Sequence, residues 1–428
     1  MNKLTLSIAI LAATNAMVES VVAQDSSTLE EITIVGSKAT LISAIEKQRE
    51  SNSLISVVDS DAMGSFADTT AAEAIRRLPG ISIENDQSEG RYVTIRGLSS
   101  DLNSIAVNGA SMVAPENGRS VMLDGLPTEL LDSITVAKSL TPDMDSDSIG
   151  GRVDFKTKKP LELDDRLLAL KVQNNFGQYA AEKLNPKLAL TYGDKINDMA
   201  AHVLGVTYSS KDIVAFNNET GFGWEDGALN DDYEMRYYEL TRERLGITYD
   251  VDFLLDDDRL FANLFWNQYN DSELRWKDEY GDIGDQVIST SENGMVVNEI
   301  KHDAETRVRE ETRTIAAFNL GYETAVSGWF VDTMVSYSFA EEDDSNNAEA
   351  NFRTKYRNDE KITTINWADS QRPYLTPADA SLYDPAEMGF DGFEVTANVS
   401  QDSEVAFVFN AEKEFDFGVI KTGVKVKS

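Results

Sequence analysis

Strict alternation of apolar and polar residues over segments of about ten residues is the feature that most constrains the fold. In residues 244–253 every second residue is apolar: Leu245, Ile247, Tyr249, Val251 and Phe253. The pattern recurs in residues 260–269 and 329–339. A period of two predicts β-strands with one apolar face, and about ten residues is the length of a tilted strand that crosses a membrane. A soluble all-β domain is the alternative, because such domains also alternate.

The connections between the predicted strands are alternately short and long. Short links such as 194–198, 254–258 and 324–328 alternate with long polar loops, the longest at about 342–402. This regularity is typical of an outer-membrane barrel, which has short turns at one end and long loops at the other. The alternation predicts nine strands, near 166–177, 184–193, 199–210, 235–253, 258–272, 305–323, 328–341, 403–414 and 417–427.

The N-terminus has the features of a secretory signal peptide, residues 1–23. A lysine precedes a short apolar run, residues 4–13, and small residues stand before Gln24, where a signal peptidase would cut. The apolar run is too short to span a bilayer, and the alternative is a buried N-terminal helix. The chain has no cysteine, which excludes a disulfide scaffold in an exported protein.

The net charge of −35 narrows the possible partners. A nucleic-acid-binding protein needs a basic face, so we expect no nucleic-acid partner. The sequence contains no nucleophile or phosphate-loop motif, and we do not expect an enzyme or a cofactor. His202 and His302 are the only histidines, so the chain has few candidates for axial haem ligands.

Residues 40–160 differ from the rest of the chain and read as one compact α+β domain. A helix is predicted to begin after an N-cap at Asp68 or Thr69 and to stop at Pro79-Gly80. Its apolar face would carry Ala71, Ala74, Ile75 and Leu78. Short strands are predicted at 81–83, 92–95, 104–107 and 134–136, with a turn at Asn108-Gly109.

Three stretches together resemble the N-terminal part of a TonB-dependent outer-membrane receptor: EEITIVGSK, AEAIRRLPGISIENDQSEGRYVTIRGLSSDLNSIAVNG and LDSITVAKSLTPDMDSDSIGGRVDFKTKKP. The most specific pieces are Leu78-Pro79-Gly80, Ile95-Arg96-Gly97 and the run from Gly150 to Thr157. The resemblance implies an α+β plug domain at 40–160, followed at 161–428 by antiparallel strands of a transmembrane β-barrel in outer-membrane lipid. It is most similar to a branch often linked to carbohydrate uptake.

Barrels of this family have about 22 strands, whereas nine are predicted here. The sequence analysis therefore predicts an incomplete barrel, from a truncated gene or an incomplete record. Active transport would belong to the complete parent, and a nonfunctional remnant is an alternative. A signalling receptor is disfavoured, because only a few residues separate Gln24 from Glu31, where such receptors usually carry an extra domain.

The resemblance also implies that residues 24–39 contain the TonB box and a linker. The box would be Glu31, Ile32, Thr33, Ile34 and Val35, and its partner would be TonB of the inner-membrane energising complex. β-Branched residues suit a segment that adds as a strand to the edge of a partner sheet. The alternative is that residues 31–35 form the first strand of the plug.

Substrate contacts are expected in outward-facing loops that carry aromatics beside acids and amides, and in plug loops at 87–91 and 110–119. The predicted substrate-binding residues are Trp224, Asp226, Arg91, Asn117, Arg119, Trp367 and Gln371. Aromatic faces with neighbouring hydrogen-bonding groups suit sugar rings, so an oligosaccharide is expected and a ferric siderophore is the alternative. Aromatics such as Trp276 could instead anchor strands at the membrane interface.

One acidic run has the spacing of a calcium loop. Asp143, Asp145, Asp147 and Asp154 occupy its positions 1, 3, 5 and 12. Ser148 stands where the sharp turn needs glycine, and the last position is Asp rather than Glu. We therefore predict no metal site, and expect a solvated acidic turn that leads into the barrel.

Overall fold

The computed structural model describes residues 44–59, 70–116, 118–142, 144–145, 147–163, 165–179, 184–220, 223–284, 287–357, 362–378 and 383–428. The predicted signal peptide and TonB box, together with Asn117 and Asp143, lie outside these ranges. The described chain is mostly β-strand, in two main sheets that pack against each other. None of its described helices has both the length and the apolar character of a membrane span.

The first sheet belongs to the plug. The plug strands are β1 (Ile55–Asp59), β2 (Ile81–Asp86), β3 (Glu89–Ile95), β4 (Asn103–Val107), β5 (Ala110–Ser111), β6 (Ser133–Ala137) and β7 (Gly151–Lys156). Five of them form a sheet in the order β1-β6-β7-β4-β5, in which only β4 and β7 are parallel. β2 and β3 form a separate antiparallel hairpin. Single-turn 3-10 helices occur at Ser100–Leu102, Thr128–Leu130 and Pro160–Glu162.

All four strands predicted in this domain are present, each with slightly wider bounds. The turn at Asn108-Gly109 is confirmed, with φ of 48° and 88° at its two residues. This left-handed pair is the geometry of a type I′ turn, which the Asn-Gly sequence favours. The plug is therefore organised locally as its turn residues predict.

The plug helix is shorter than predicted. It covers Ala71–Ile75, and its N-cap is Thr70 rather than Asp68 or Thr69. The chain bends after Ile75 because Pro79 cannot extend the helix and Gly80, with φ of 74°, reverses the backbone into β2. The predicted apolar face is confirmed: Ala71, Ala74 and Ile75 are fully buried, and Leu78 packs against the same core.

The second sheet has nine antiparallel strands, as the alternation predicts. They are β8 (Leu167–Asn175), β9 (Asn185–Asn197), β10 (Ala200–Glu219), β13 (Tyr233–Leu255), β14 (Asp258–Gly281), β17 (Glu299–Val326), β18 (Trp329–Arg357), β21 (Gly389–Phe415) and β22 (Gly418–Lys427). Each pairs with its neighbour along the chain, and β8 and β22 lie at the two edges. The predicted fold class, a plug followed by antiparallel barrel-type strands, is confirmed.

Several strands continue far beyond the predicted ends on the long-loop side. β18 runs to Arg357 and β21 begins at Gly389, so the predicted loop at 342–402 is wrong by about half its length. The added part of β18, residues 342–357, is largely polar, whereas the added part of β21 does alternate, at Phe393, Val395 and Val399, and the sequence analysis did not use that pattern. Backbone pairing with the next strand holds the added part of β18 extended, which a hydrophobic pattern does not report.

The two faces of this sheet are inverted relative to a soluble protein. Its inner face, defined as the face that contacts the plug, buries polar residues such as Arg242, Thr248 and Asp250. Its outer face exposes large apolar residues, among them Tyr249 and Phe253. A strand that is apolar toward the outside and polar toward the inside is the pattern of a barrel in lipid.

The remaining strands form what we call the outer cap. A hairpin of β11 (Trp224–Glu225) and β12 (Ala228–Leu229) packs beside a four-stranded sheet of β15 (Val287–Ser291), β16 (Gly294–Val297), β19 (Thr363–Asn366) and β20 (Tyr374–Pro377). A 3-10 turn follows at Pro385–Glu387. The outer cap shares a hydrophobic cluster with the ends of the long strands through Tyr233, Tyr280 and Ile300.

Candidate functional site

The plug meets the inner face at the tip of its β2–β3 hairpin. Gln87 and Ser88 form the two-residue turn, with φ of 45° and 73°. The turn places Glu89 against the sheet, where its carboxylate accepts from Arg244 at 2.6 Å and from Arg242 and Lys211 at 2.8 Å. Burial alone would raise the pKa of Glu89, but the three cations outweigh it and hold that pKa far below its usual range.

A second plug carboxylate, Asp124, lies in the same network. Arg313 of β17 donates to both of its oxygens, at 3.0 and 3.1 Å, and Arg91 of the plug donates at 3.2 Å. The guanidinium of Arg313 lies 4.0 Å from the ring centroid of Tyr269. Burial opposes ionisation of Asp124, yet the two arginines lower its pKa well below the usual value. The contact between plug and sheet is thus made largely of buried charge pairs.

The carboxylate of Glu116 differs from those of Glu89 and Asp124 in its lack of hydrogen-bond partners within the described part of the chain. Both of its oxygens are buried without a hydrogen-bond partner among the described residues, and the nearest cation, Arg313, is 4.0 Å away. Burial raises its pKa to about 7, assisted by Glu342 and Asp124 and opposed by Arg313. At neutral pH this group lies close to the midpoint of its titration, at the contact between plug and sheet.

Above the plug, the inner face is lined with ion pairs. Seven basic side chains that the structure describes project from it, and each is paired with a carboxylate: Arg236 with Glu219, Arg275 with Glu349, Lys277 with Glu279, Lys301 with Asp303, Arg307 with Glu273, Arg309 with Asp344 and Arg353 with Asp303. We call this surface the inner wall. It offers many hydrogen-bonding groups and almost no uncompensated positive charge.

The predicted ligand residues of the plug take part in such pairs. Arg91 is bound to Asp86 at 2.7 Å and to Asp124 at 3.2 Å. Arg119 lies 3.5 Å from Asp147, and its backbone N–H donates to Asp101. Arg91 therefore stands at the contact between plug and sheet, and a role of either residue in ligand binding stays a prediction.

The predicted ligand residues of the loops lie in the outer cap. Trp224 and Trp367 meet edge to face with ring centroids 5.9 Å apart, and Trp367 is buried in the cap cluster. Asp226 occupies the turn between β11 and β12 with φ of 50°. Gln371 lines a cavity of about 540 Å³ together with Asn218, Glu219, Thr220, Tyr233 and Ser370.

The two groups lie on opposite faces of the sheet. β13 pairs without interruption from Tyr233 to Leu255, and Tyr233 stands an odd number of residues before Arg242. Because successive side chains of a strand alternate between faces, Tyr233 and the cap cluster lie on the outer face. Arg91 lies on the inner face beside Asp124. The sequence analysis expected one site, and the structure separates it into an inner wall and an outer cap.

The acidic run before β7 is not a solvated turn. Asp145 is buried and pairs with Arg152 at 3.0 Å and with Lys425 of β22 at 2.6 Å. Asp147 pairs with Lys427 at 2.6 Å. The expectation of a solvated turn is wrong, because the lysines of a distant strand reach these carboxylates. Within the described ranges, no group of acidic or histidine side chains is arranged to hold a metal.

The two histidines occupy structural positions. His302 stacks on Tyr280, with ring centroids 4.6 Å apart, and a ring nitrogen lies 2.8 Å from Asp278. His202 meets Tyr192 and Tyr249 edge to face on the outer side of the sheet.

The sequence analysis missed the residues that join plug and sheet. These are Glu89, Asp124, Arg242 and Arg313. A signal was present, since Arg242 and Arg244 stand at alternate positions on the polar side of a predicted strand. Charges confined to one face of a membrane strand indicate a filled interior. Their partners on the plug are distant in the sequence and could not be matched to them.

Comparisons with known proteins agree with this arrangement. Residues 47–152 match the family described as TonB-dependent Receptor Plug Domain. No curated protein matches the chain. Among solved structures, the chain is 12% identical to the ferric citrate transporter FecA, with a TM-score of 0.35, over 89% of this chain and 63% of that one.

It is also 12% identical to the ferripyoverdine receptor of Pseudomonas aeruginosa, with a TM-score of 0.41, over 89% of this chain and 52% of that one. For BauA, the ferric preacinetobactin receptor from Acinetobacter baumannii, the identity is 11%, the TM-score 0.38, and the coverage 88% and 57%. The chain thus spans between half and two thirds of the length of these proteins. Residues 47–152 are thus identified as a TonB-dependent receptor plug domain, and nine antiparallel strands of barrel type follow it.

Proposed function

We propose that this protein serves TonB-dependent import of a neutral, polyhydroxylated substrate, an oligosaccharide, across the bacterial outer membrane. The observation that carries the choice of substrate is the inner wall, where seven basic side chains are each paired with a carboxylate. Sugar hydroxyls both donate and accept hydrogen bonds, so they can bind a paired carboxylate and guanidinium without breaking the pair.

An anionic substrate would have a different requirement. It would have to displace a carboxylate from an arginine and leave that carboxylate unpaired, which costs several kcal/mol when the group is buried. The net charge of −35 adds long-range repulsion. Both effects favour a neutral solute over an anion.

The plug closes the path that a substrate would take. Coupling to TonB would use Glu31-Ile32-Thr33-Ile34-Val35, which we propose adds as a strand to the sheet of its partner. Traction on this segment would reach the plug through its first strand. Glu89 and Asp124 would then have to leave Arg242, Arg244 and Arg313, and their charges could be resolvated by water at the polar inner face.

A ferric siderophore is the second candidate substrate. Arg307 and Arg309 favour it, since both are about one-fifth exposed on the inner wall and could exchange a carboxylate partner for a ligand anion. Expression of the gene separates the two. Induction by iron starvation with no response to any glycan would replace the sugar proposal with the siderophore.

Energy coupling is tested by Ile34→Pro in the full-length protein. Proline removes a backbone donor, so strand addition to TonB should fail and uptake should be lost while substrate still binds at the cell surface. Ile34→Val is the matched control and should transport normally. A cysteine introduced at Thr33 should crosslink to TonB, and normal uptake by the proline variant would refute the proposed box.

A further inference from the structure

Four aromatic rings form a continuous row on the outer face of the nine-stranded sheet. Tyr179 meets Phe216 at a centroid distance of 5.6 Å, Phe216 meets Tyr237 at 5.2 Å, and Tyr237 meets Trp276 at 5.4 Å. We call this row the aromatic stripe. Tyr179 and Phe216 are about two-thirds exposed and Trp276 is 39% exposed. Large rings held in contact with one another and left open to the outside are uncommon on a protein surface.

The register places the stripe on the face away from the plug. Phe216 pairs with Tyr237, and Tyr237 pairs with Trp276, in adjacent strands. Tyr237 stands five residues before Arg242, which contacts the plug, so alternation directs the two to opposite faces. The stripe is therefore separate from the inner wall that is proposed to conduct the substrate.

The stripe also lies beyond the lipid. Along β13 the outward apolar residues run from Leu245 to Leu255, which at about 3.3 Å per residue and a tilt of about 40° corresponds to the roughly 25 Å height of an apolar band. The next outward residues are Glu243, Thr241 and Glu239, and only then Tyr237. The neighbouring strand repeats the first two positions of this polar belt with Asn270 and Ser272, and Leu274 then stands beside Glu239. By the same rise and tilt, the stripe stands about 20 Å above the band.

This position excludes membrane anchoring as the role of Trp276. An interfacial aromatic borders the apolar band directly, whereas the polar pairs Glu243–Asn270 and Thr241–Ser272 lie between Trp276 and that band. The stripe also continues upward into the cavity of the outer cap. Asn218 follows Phe216 by two residues on the same face, Tyr233 precedes Tyr237 by four, and both line the cavity with Gln371.

The chemistry of the surface indicates its occupant. Exposed rings in a row bind the apolar C–H faces of successive sugar units, and flanking hydrogen-bonding groups bind the hydroxyls. Here the hydroxyl of Tyr237 donates to Glu239 at 3.0 Å, and the cavity adds amide and hydroxyl groups. The outward acids of the belt would repel phosphorylated or uronic sugars, including the anionic core of lipopolysaccharide. Charge therefore selects a neutral chain.

We propose that the aromatic stripe and the cap cavity together form a docking site for an extended neutral polysaccharide outside the cell. The site goes beyond the proposed import, since it retains a polymer on the outer face of the sheet, and it touches the inner wall only at Glu219, which lines the cavity and pairs with Arg236. It shares with that proposal only the choice of a sugar.

The test uses the full-length protein in cells that lack TonB, so that retention is measured without uptake. Labelled starch, laminarin, xylan and galactomannan are the neutral probes, and polygalacturonate is the anionic one. We expect at least one neutral probe to be retained in preference to polygalacturonate. Trp276→Ala and Tyr237→Ala should each weaken that retention about five- to tenfold, while Trp276→Phe keeps most of it.

Phe393→Ala is the matched control, because Phe393 is an exposed aromatic at the same level of the outer face, three strands away from Trp276. It should leave retention unchanged. Uptake of a short labelled oligosaccharide in cells that contain TonB should survive Trp276→Ala, so loss of docking and loss of import are distinguishable.

Three results would overturn the docking site. The first is equal retention by the wild type and Trp276→Ala, or no retention of any neutral probe. The second is stronger retention of polygalacturonate or of isolated lipopolysaccharide core. The third is a change of oligomeric state in Trp276→Ala during gel filtration, which would assign the stripe to contact with a second copy of the chain.

Discussion

The plug and the nine-stranded sheet place the same residue types on opposite sides. In the plug, Leu123, Ile134 and Phe155 are completely buried. In the sheet, Arg242 and Asp250 are buried, while Tyr249 and Phe253 face outward. The sequences of both regions predict β-strands in which apolar and polar residues are mixed. The difference shows that the direction of an apolar face depends on the solvent that meets it, and that the interior of this protein is apolar in one region and ionic in the other.

The largest effect should follow from placing a charge in the plug core. Ile134→Asp puts an unpaired carboxylate at a site with no solvent access, which should cost at least about 4 kcal/mol and unfold the plug. Thr135→Asp, one residue further along β6 and partly exposed, is the control. Protease resistance of the full-length protein would measure the unfolding of the plug in each variant. A resistant Ile134→Asp variant would mean that the plug core tolerates charge as the sheet interior does.

Removing one partner of the ionic contact should be nearly as damaging. Arg242→Met leaves Glu89 buried with one cation fewer, at an expected cost of about 3 kcal/mol. The double variant with Glu89→Gln removes both charges and should recover part of that loss. Urea denaturation of the full-length protein in detergent is the measurement. Equal loss in the single and double variants would show that the pair contributes nothing specific.

An added charge should destabilise the outer face of the sheet, whereas the inner face buries charged residues. Val251→Arg places a cation at mid-height of the apolar band and should destabilise the membrane-inserted protein by about 2–3 kcal/mol. Glu239→Arg, in the polar belt above that band, should have almost no effect. Unfolding from lipid vesicles compares the two. If both variants behaved alike, the assignment of the band to residues 245–255 would be wrong.

A smaller effect should appear with pH. The folded pKa of Glu116, about 7, lies above its ordinary value of 4.5, so between these values the folded protein binds more protons than the unfolded chain. The stabilisation that Glu116 contributes to the folded state is fully present below pH 4.5. It is lost as the pH rises toward 7, by on the order of 2–3 kcal/mol. Glu116→Gln should flatten this dependence. The free energy of unfolding would be measured by urea titration at pH 5 and pH 7.5. If its change between these two pH values were the same in Glu116→Gln and in the wild type, the burial of this carboxylate would be contradicted.

The number and order of the strands could be predicted from sequence because lipid imposes a simple rule. Most outward residues in the band must be apolar, so segments such as 244–253 alternate without exception. The ends of the strands could not be predicted in the same way. Beyond the band, residues 342–357 of β18 are largely polar, and pairing with β17 and β21 keeps them extended.

The candidate site was harder to predict than the fold. Trp224, Trp367 and Gln371 come from two predicted loops that meet in the outer cap, and their role in substrate binding stays a prediction. Arg91 was grouped with them, but its partner Asp124 lies 33 residues away in the plug. Residue types predict what a side chain can bind, whereas the face on which it stands depends on register, and register is a property of the folded sheet.

The order of strands in the plug sheet has a mechanical consequence. Among the described strands, β1 is the nearest to the N-terminus and lies at the edge of the sheet, where it pairs with β6 through the five residues from Ile55 to Asp59. A pull applied from the N-terminal side therefore meets one short ladder before it meets any other. That ladder can detach while β6, β7, β4 and β5 keep every hydrogen bond among themselves. The domain would therefore unfold in steps that begin with β1. It could close again when β1 pairs with β6 once more.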